Sequence, residues 1–115
     1  MKQRLLVMNG QKLIQTEENN KWQTKKIEKA NGVRPGIYNI YNASEADSEN
    51  DNIGEVIHFD KKNKLLYQKN GNQFIRHDSD NIGQIPTMGS FVNIRYDNNK
   101  ATTNEVPKNK IKLKI

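Results

Sequence analysis

The chain has 115 residues, 33% of them hydrophobic, no cysteine and a formal charge of +6. That length fits one domain with a thin core, and the lack of thiols excludes a disulfide framework and a thiolate metal site. The basic balance suits an anionic partner without requiring one.

Met1 to Met8 starts basic, but its apolar run stops at Asn9-Gly10. It is too short for a signal core or a membrane span, so a cytoplasmic protein is expected. Leu5 to Met8 and Lys12 to Gln15 flank Asn9-Gly10, which predicts a hairpin with a type I′ turn. Glu17 to Asn20 is a polar turn, and Lys21 to Ile27 reads as a strand, with a short helix as the alternative. Trp22 is the sole tryptophan and is expected to cover one end of a small core. After the turn Arg34-Pro35-Gly36, residues 37 to 43 read as a strand covered on both sides, with Tyr38 and Ile40 on one face and Ile37 and Tyr41 on the other. Residues 45 to 60 hold six acids and no lysine or arginine; the first part reads as a mobile surface loop.

Gly54 to Tyr96 is a series of short apolar runs at nearly even spacing. Residues 54–60, 65–68 and 73–77 predict a meander, with Val56 and His58 on one face and Ile57 and Phe59 on the other. Lys61-Lys62-Asn63 marks one turn, and Asn70-Gly71 a second in which both central residues need positive φ. A single helical turn at 78–82, a tight connection at 86–89, a strand at 91–96, a turn at 97–100 and a weak strand at 101–106 follow. In the tail 107–115, Lys108, Lys110, Lys112 and Lys114 alternate with Ile111, Leu113 and Ile115, as in an edge strand. The pattern predicts one all-β domain, a small antiparallel barrel or sandwich. The reading adopted is an SH3-like barrel core over 36–106, extended by an N-terminal β-hairpin and connection at 1–35 and a basic tail at 107–115.

Few groups suit catalysis. His58, His77, Asp60 and Asp78 would gather into a metal or acid–base site if their strands were neighbours, but the spacing fits no metal motif, and hydrogen-bonded histidines at strand ends account for it. No glycine-rich phosphate loop is present, and Asp47, Glu49 and Asp51 have calcium-loop spacing without the glycine and terminal glutamate such a loop needs. No catalytic residue, metal, cofactor, small-molecule substrate or membrane contact is therefore expected. For nucleic acid, the basic contacts are expected at Lys25, Lys26, Arg34, Arg76 and Arg95, with Lys29 and Trp22 or the tail lysines as further candidates. The alternative is an adaptor or anti-defence inhibitor that meets a host nucleoprotein through Asp47, Glu49 and Asp51.

Several blocks together carry a family likeness: Lys2 to Gln11, Val33-Arg34-Pro35-Gly36-Ile37-Tyr38 through Ala43, Gly54 to Asp60, Tyr67-Gln68, Arg76-His77-Asp78 and Pro86-Thr87-Met88-Gly89. In these the chain resembles the KfrB-type domain of plasmids and conjugative elements. The resemblance implies a non-catalytic module working near nucleic acid, since similar domains sit at the ends of relaxase and primase-like proteins and beside a coiled-coil DNA-binding partner in plasmid stability. It implies DNA or a DNA-associated protein as partner and supplies no catalytic residues. The acidic loop and lysine-rich tail depart from the family pattern.

Overall fold

The computed structural model describes residues 2–106. The run at 107–115, with its expected edge strand, lies outside them. The first three strands, β1 (Gln3–Met8), β2 (Gln11–Glu18) and β3 (Lys21–Lys29), form a meander. Its turns follow from side chains that tolerate left-handed backbone: Asn9 and Gly10 have φ of 52° and 75°, Asn19 and Asn20 of 53° and 65°. β4 (Gly36–Tyr38) adds to β1, completing a four-stranded sheet in the order β3-β2-β1-β4. The strand expected over 37–43 therefore stops early. Residues Ile40–Asn42 instead make a 3₁₀ turn, leaving Ile40 buried while Ile37 and Tyr41 are exposed.

The second sheet has six strands in the order β10-β9-β6-β7-β8-β5. Its strands are β5 (Ser44–Glu45), β6 (Asn52–Asp60), β7 (Leu65–Asn70), β8 (Gln73–Asp78), β9 (Phe91–Asp97) and β10 (Lys100–Glu105). All pairs are antiparallel except the two-residue pairing of β5 with β8. Among the described residues neither sheet closes on itself, so two open sheets stand there in place of the expected barrel. The physical reason is that β10 and β5 stand at opposite ends of the larger sheet and pair with no strand of the other. Leu5, Val7 and Ile14 of the first sheet meet Ile57 and Tyr67 of the second in one core. On the far side of the second sheet Val56, Leu66, Val92 and Ile94 form another core, covered by Ile82, Ile85 and Met88 from the connection between β8 and β9.

A β-bulge at Ile57 decides which side chain enters which core. Val56 pairs with Gln68, but the next pair is His58 with Tyr67, leaving Ile57 as the extra residue. Strict alternation after Val56 is broken, and Ile57 and His58 both face the first sheet while Val56 and Phe59 face the other way. The expected pairing of Val56 with His58 on one face is corrected accordingly. The turn after β7 is also displaced by one residue. Asn70 pairs with Gln73, so Gly71 and Asn72 are central, and only Gly71 has positive φ, at 60°, as a type II′ turn requires.

Gly54 permits β6 to lie close to β7: a Cβ there would stand 2.8 Å from the Lys69 carbonyl oxygen, against rigid backbone. Gly54→Ala is expected to destabilise the fold by about 2 kcal/mol, the cost of overpacking, measured as a lower urea midpoint at unchanged slope.

Candidate nucleic-acid interface

Two bulges and one turn assemble a basic cleft between the sheets. In the β2–β3 ladder Ile14 pairs with Lys26 and Gln15 with Thr24, so Lys25 is the extra residue. Consecutive strand residues ordinarily point to opposite faces, but here Lys25 and Lys26 both line the cleft. Across it, Asp60 accepts hydrogen bonds from the Asn63 backbone N–H at 3.1 Å and from Asn63 Nδ2 at 2.8 Å. That closed turn presents Lys61 and Lys62 on the opposite lip. The space enclosed is about 570 Å³, and Ile14, Glu28 and His58 line it further in.

Behind the cleft, next to Glu28 and His58, lies a buried cation. Lys12 is 3% exposed, with its Nζ 3.5 Å from Glu28 Oε1 and 3.5 Å from the Ile57 carbonyl. Burial lowers the Lys12 pKa although Glu28 acts to raise it. The Glu28 carboxyl is held below its ordinary value: burial opposes this, but the hydrogen bond from Lys26, 3.1 Å away, and the charge of Lys12 outweigh it. His58 is pushed down to about 4 by burial first and the Lys12 charge second. Its ring stacks on Tyr67 with centroids 6.0 Å apart, and its Nδ1 has no hydrogen-bond partner among the described residues.

The five basic residues expected to contact nucleic acid do not gather together. Lys25 and Lys26 share the cleft, where Lys25 also pairs with Glu18 at 2.7 Å. Arg34 lies beyond β3 with Nε 4.0 Å from Glu55 Oε2, Arg76 on β8 pairs with Glu45, and Arg95 on β9 pairs with Asp51 at 2.8 Å. Lys61 and Lys62, read from sequence only as a turn, take the places at the cleft that the arginines do not. Neither makes an ion pair among the described residues. The signal that would have found them is the pair of adjacent lysines at the tip of a hairpin, which a turn must expose.

The acidic residues expected to bind a partner are all exposed, but Asp47 and Asp51 are engaged by neighbours within the chain. Asp47 accepts from the N–H groups of Glu49 and Asn50 at 2.9 and 3.2 Å and from Asn50 Nδ2 at 2.9 Å. These bonds, the Asn50 side chain first, hold its carboxyl below the ordinary range. Glu49 is exposed, and Asp51 is the partner of Arg95.

His58 and His77 do not meet. His58 pairs with Tyr67 and His77 with Leu66, adjacent residues of β7 that point to opposite faces of the sheet. His77 Nε2 lies 2.5 Å from Gln68 Oε1, and its Nδ1 2.5 Å from the Tyr96 hydroxyl. Because Gln68 Oε1 can only accept, Nε2 carries the proton and Nδ1 accepts from Tyr96. No group of three or more metal-ligating side chains occurs among the described residues, and no helix there is long and apolar enough to cross a membrane.

The Tyr67-Gln68 and Arg76-His77-Asp78 blocks thus have structural work: stacking, the buried network, the Glu45 pair, and Asp78 accepting from the Asp80 N–H. Protein TraB of Escherichia coli is 25% identical to this chain over 96 residues, which are 81% of the chain and 64% of the relative. The aligned region thus spans just under two thirds of that protein's length. The KfrB Domain family matches residues 51–105, from the start of β6 to the end of β10. Over residues 51–105 the chain is therefore similar to KfrB-type plasmid domains.

Proposed function

We propose that this chain is a binding module that contacts the phosphate backbone of nucleic acid through the lysine-lipped cleft, in the service of plasmid maintenance or transfer. The observation that carries the reading is the convergence of Lys25, Lys26, Lys61 and Lys62 on one opening. Four cations there face three carboxylates, Glu28 and Asp60 in the lining and Glu18 paired with Lys25, and the surplus positive charge is what a phosphate chain exploits. The internal engagement of Asp47 and Asp51 favours this cleft over the acidic run as the principal contact.

Fluorescence anisotropy with labelled single- and double-stranded oligonucleotides at several salt concentrations tests it. Binding should weaken steeply with salt, and each of Lys25→Gln, Lys26→Gln, Lys61→Gln and Lys62→Gln should lower the log–log salt slope by about 1 where that lysine meets a phosphate. Arg95→Gln, outside the cleft, should leave the slope unchanged. Wild-type protein that binds neither oligonucleotide at low salt would reject the proposal.

A further inference from the structure

The outer face of the four-stranded sheet carries an apolar row that nothing among the described residues covers. Ile27 of β3 pairs with Leu13 of β2, Leu13 with Leu6 of β1, and Leu6 with Ile37 of β4, so the four side chains stand side by side across the whole sheet. Ile27 and Ile37 are 58% and 56% exposed, and Met8 beside them is exposed as well. A contiguous apolar strip on a sheet face is a mark of an interaction surface, unlike isolated exposed hydrophobic residues.

The row is bordered by cations. Arg4 stands over the Trp22 ring at 4.4 Å and Lys2 over the Tyr41 ring at 5.3 Å, while Lys29 pairs with Gln11 at the other side of the row. Glu17, paired with Trp22, is the carboxylate on this face. A second copy laid on the same face would set these cations against their own kind, and the basic run 107–115 meets the same repulsion. Stacking of bases is disfavoured because Arg4 already occupies one face of Trp22.

We infer that this face docks a segment of another protein whose apolar side chains are flanked by Asp or Glu. The apolar row supplies the hold, and Lys2, Arg4 and Lys29 select the acidic flanks. The surface lies on the side of the sheet opposite the lysine cleft, so both can be occupied at once.

Peptide-display selection against the full chain tests this. Enriched sequences should combine apolar residues with Asp or Glu, and their synthetic versions should shift the fluorescence of Trp22. Ile27→Glu with Ile37→Glu should weaken those peptides by about tenfold or more, at unchanged circular dichroism. Lys2→Glu with Lys29→Glu should slow association and flatten its salt dependence while the apolar row stays intact. Peptides that bind both variants as tightly as wild type, or no enrichment at all, would overturn the inference. So would a wild-type dimer in sedimentation that Ile27→Glu with Ile37→Glu abolishes, or oligonucleotide binding lost in that same variant.

Discussion

Gln68→Leu is expected to lower the stability of the fold by about 3 kcal/mol, although the two side chains are similar in size. Gln68 is fully buried in β7, and its amide nitrogen is shared among the carbonyl oxygens of Asn52, Gly54 and Val92 at 3.2 to 3.3 Å. It thereby ties β7 to the backbone of β6 and β9, while Oε1 receives the proton of His77 Nε2. Leucine removes the donor and the acceptor together, leaving a buried imidazole N–H unsatisfied, and it is the orphaned partners that make the change costly. Urea denaturation of wild type and variant measures the loss. A double-mutant cycle with Tyr96→Phe should show coupling of about 1 kcal/mol, since both substitutions act through the His77 ring. A Gln68→Leu midpoint indistinguishable from wild type would mean that the network contributes nothing to folding.

The second large effect is acid sensitivity. His58 and His77 are 2% and 1% exposed, and both are pushed down to about 4, His58 by burial and then Lys12, His77 by burial. In the unfolded chain each takes up a proton near its ordinary value of about 6.5. Below that value the unfolded state therefore binds protons that the folded state refuses. Stability is full above about pH 6.5, falls as the pH falls, and stops falling on this account once the folded histidines titrate near pH 4. Each contributes on the order of 3 kcal/mol across that window. Melting temperatures between neutral pH and about pH 4 should drop steeply, and the drop should shrink in His58→Gln and in His77→Gln. The carboxylates of Glu28, Asp47 and Asp60 are held below their ordinary values, so their contribution is lost at lower pH than that of the histidines. A melting temperature level across the window would exclude buried neutral histidines.

Much of the strand order was legible because hairpins are local. Asn9-Gly10, Asn19-Asn20 and Asn98-Asn99 all adopt positive φ, and each joins neighbouring strands as their turn chemistry demands. The two bulges were not legible. An extra residue at Ile57 or Lys25 is settled by which register buries more apolar surface against the opposite sheet, and no local residue type announces it. The bulges matter for the site, because the one at Lys25 makes neighbouring lysines share one cleft, and the one at Ile57 turns His58 toward it.

The outer apolar row has its own signal in the sequence of β1. Leu5-Leu6-Val7-Met8 is apolar at every position, whereas a strand covered on one face alternates. An unbroken run asks for cover on both sides, and within the described residues β1 has cover on one.

Periodicity and turn residues by themselves determined that this polypeptide is all-β and where most strands begin and end. Those features depend on neighbours a few residues apart. Only the tertiary structure decided that the sheets remain open, that Lys25 and Lys26 meet Lys61 and Lys62, and that Arg34, Arg76 and Arg95 are drawn to separate carboxylates. Each of these depends on residues distant in the chain meeting in space, and the energy that chooses among such meetings comes from burying the two cores together, which no single stretch of sequence contains.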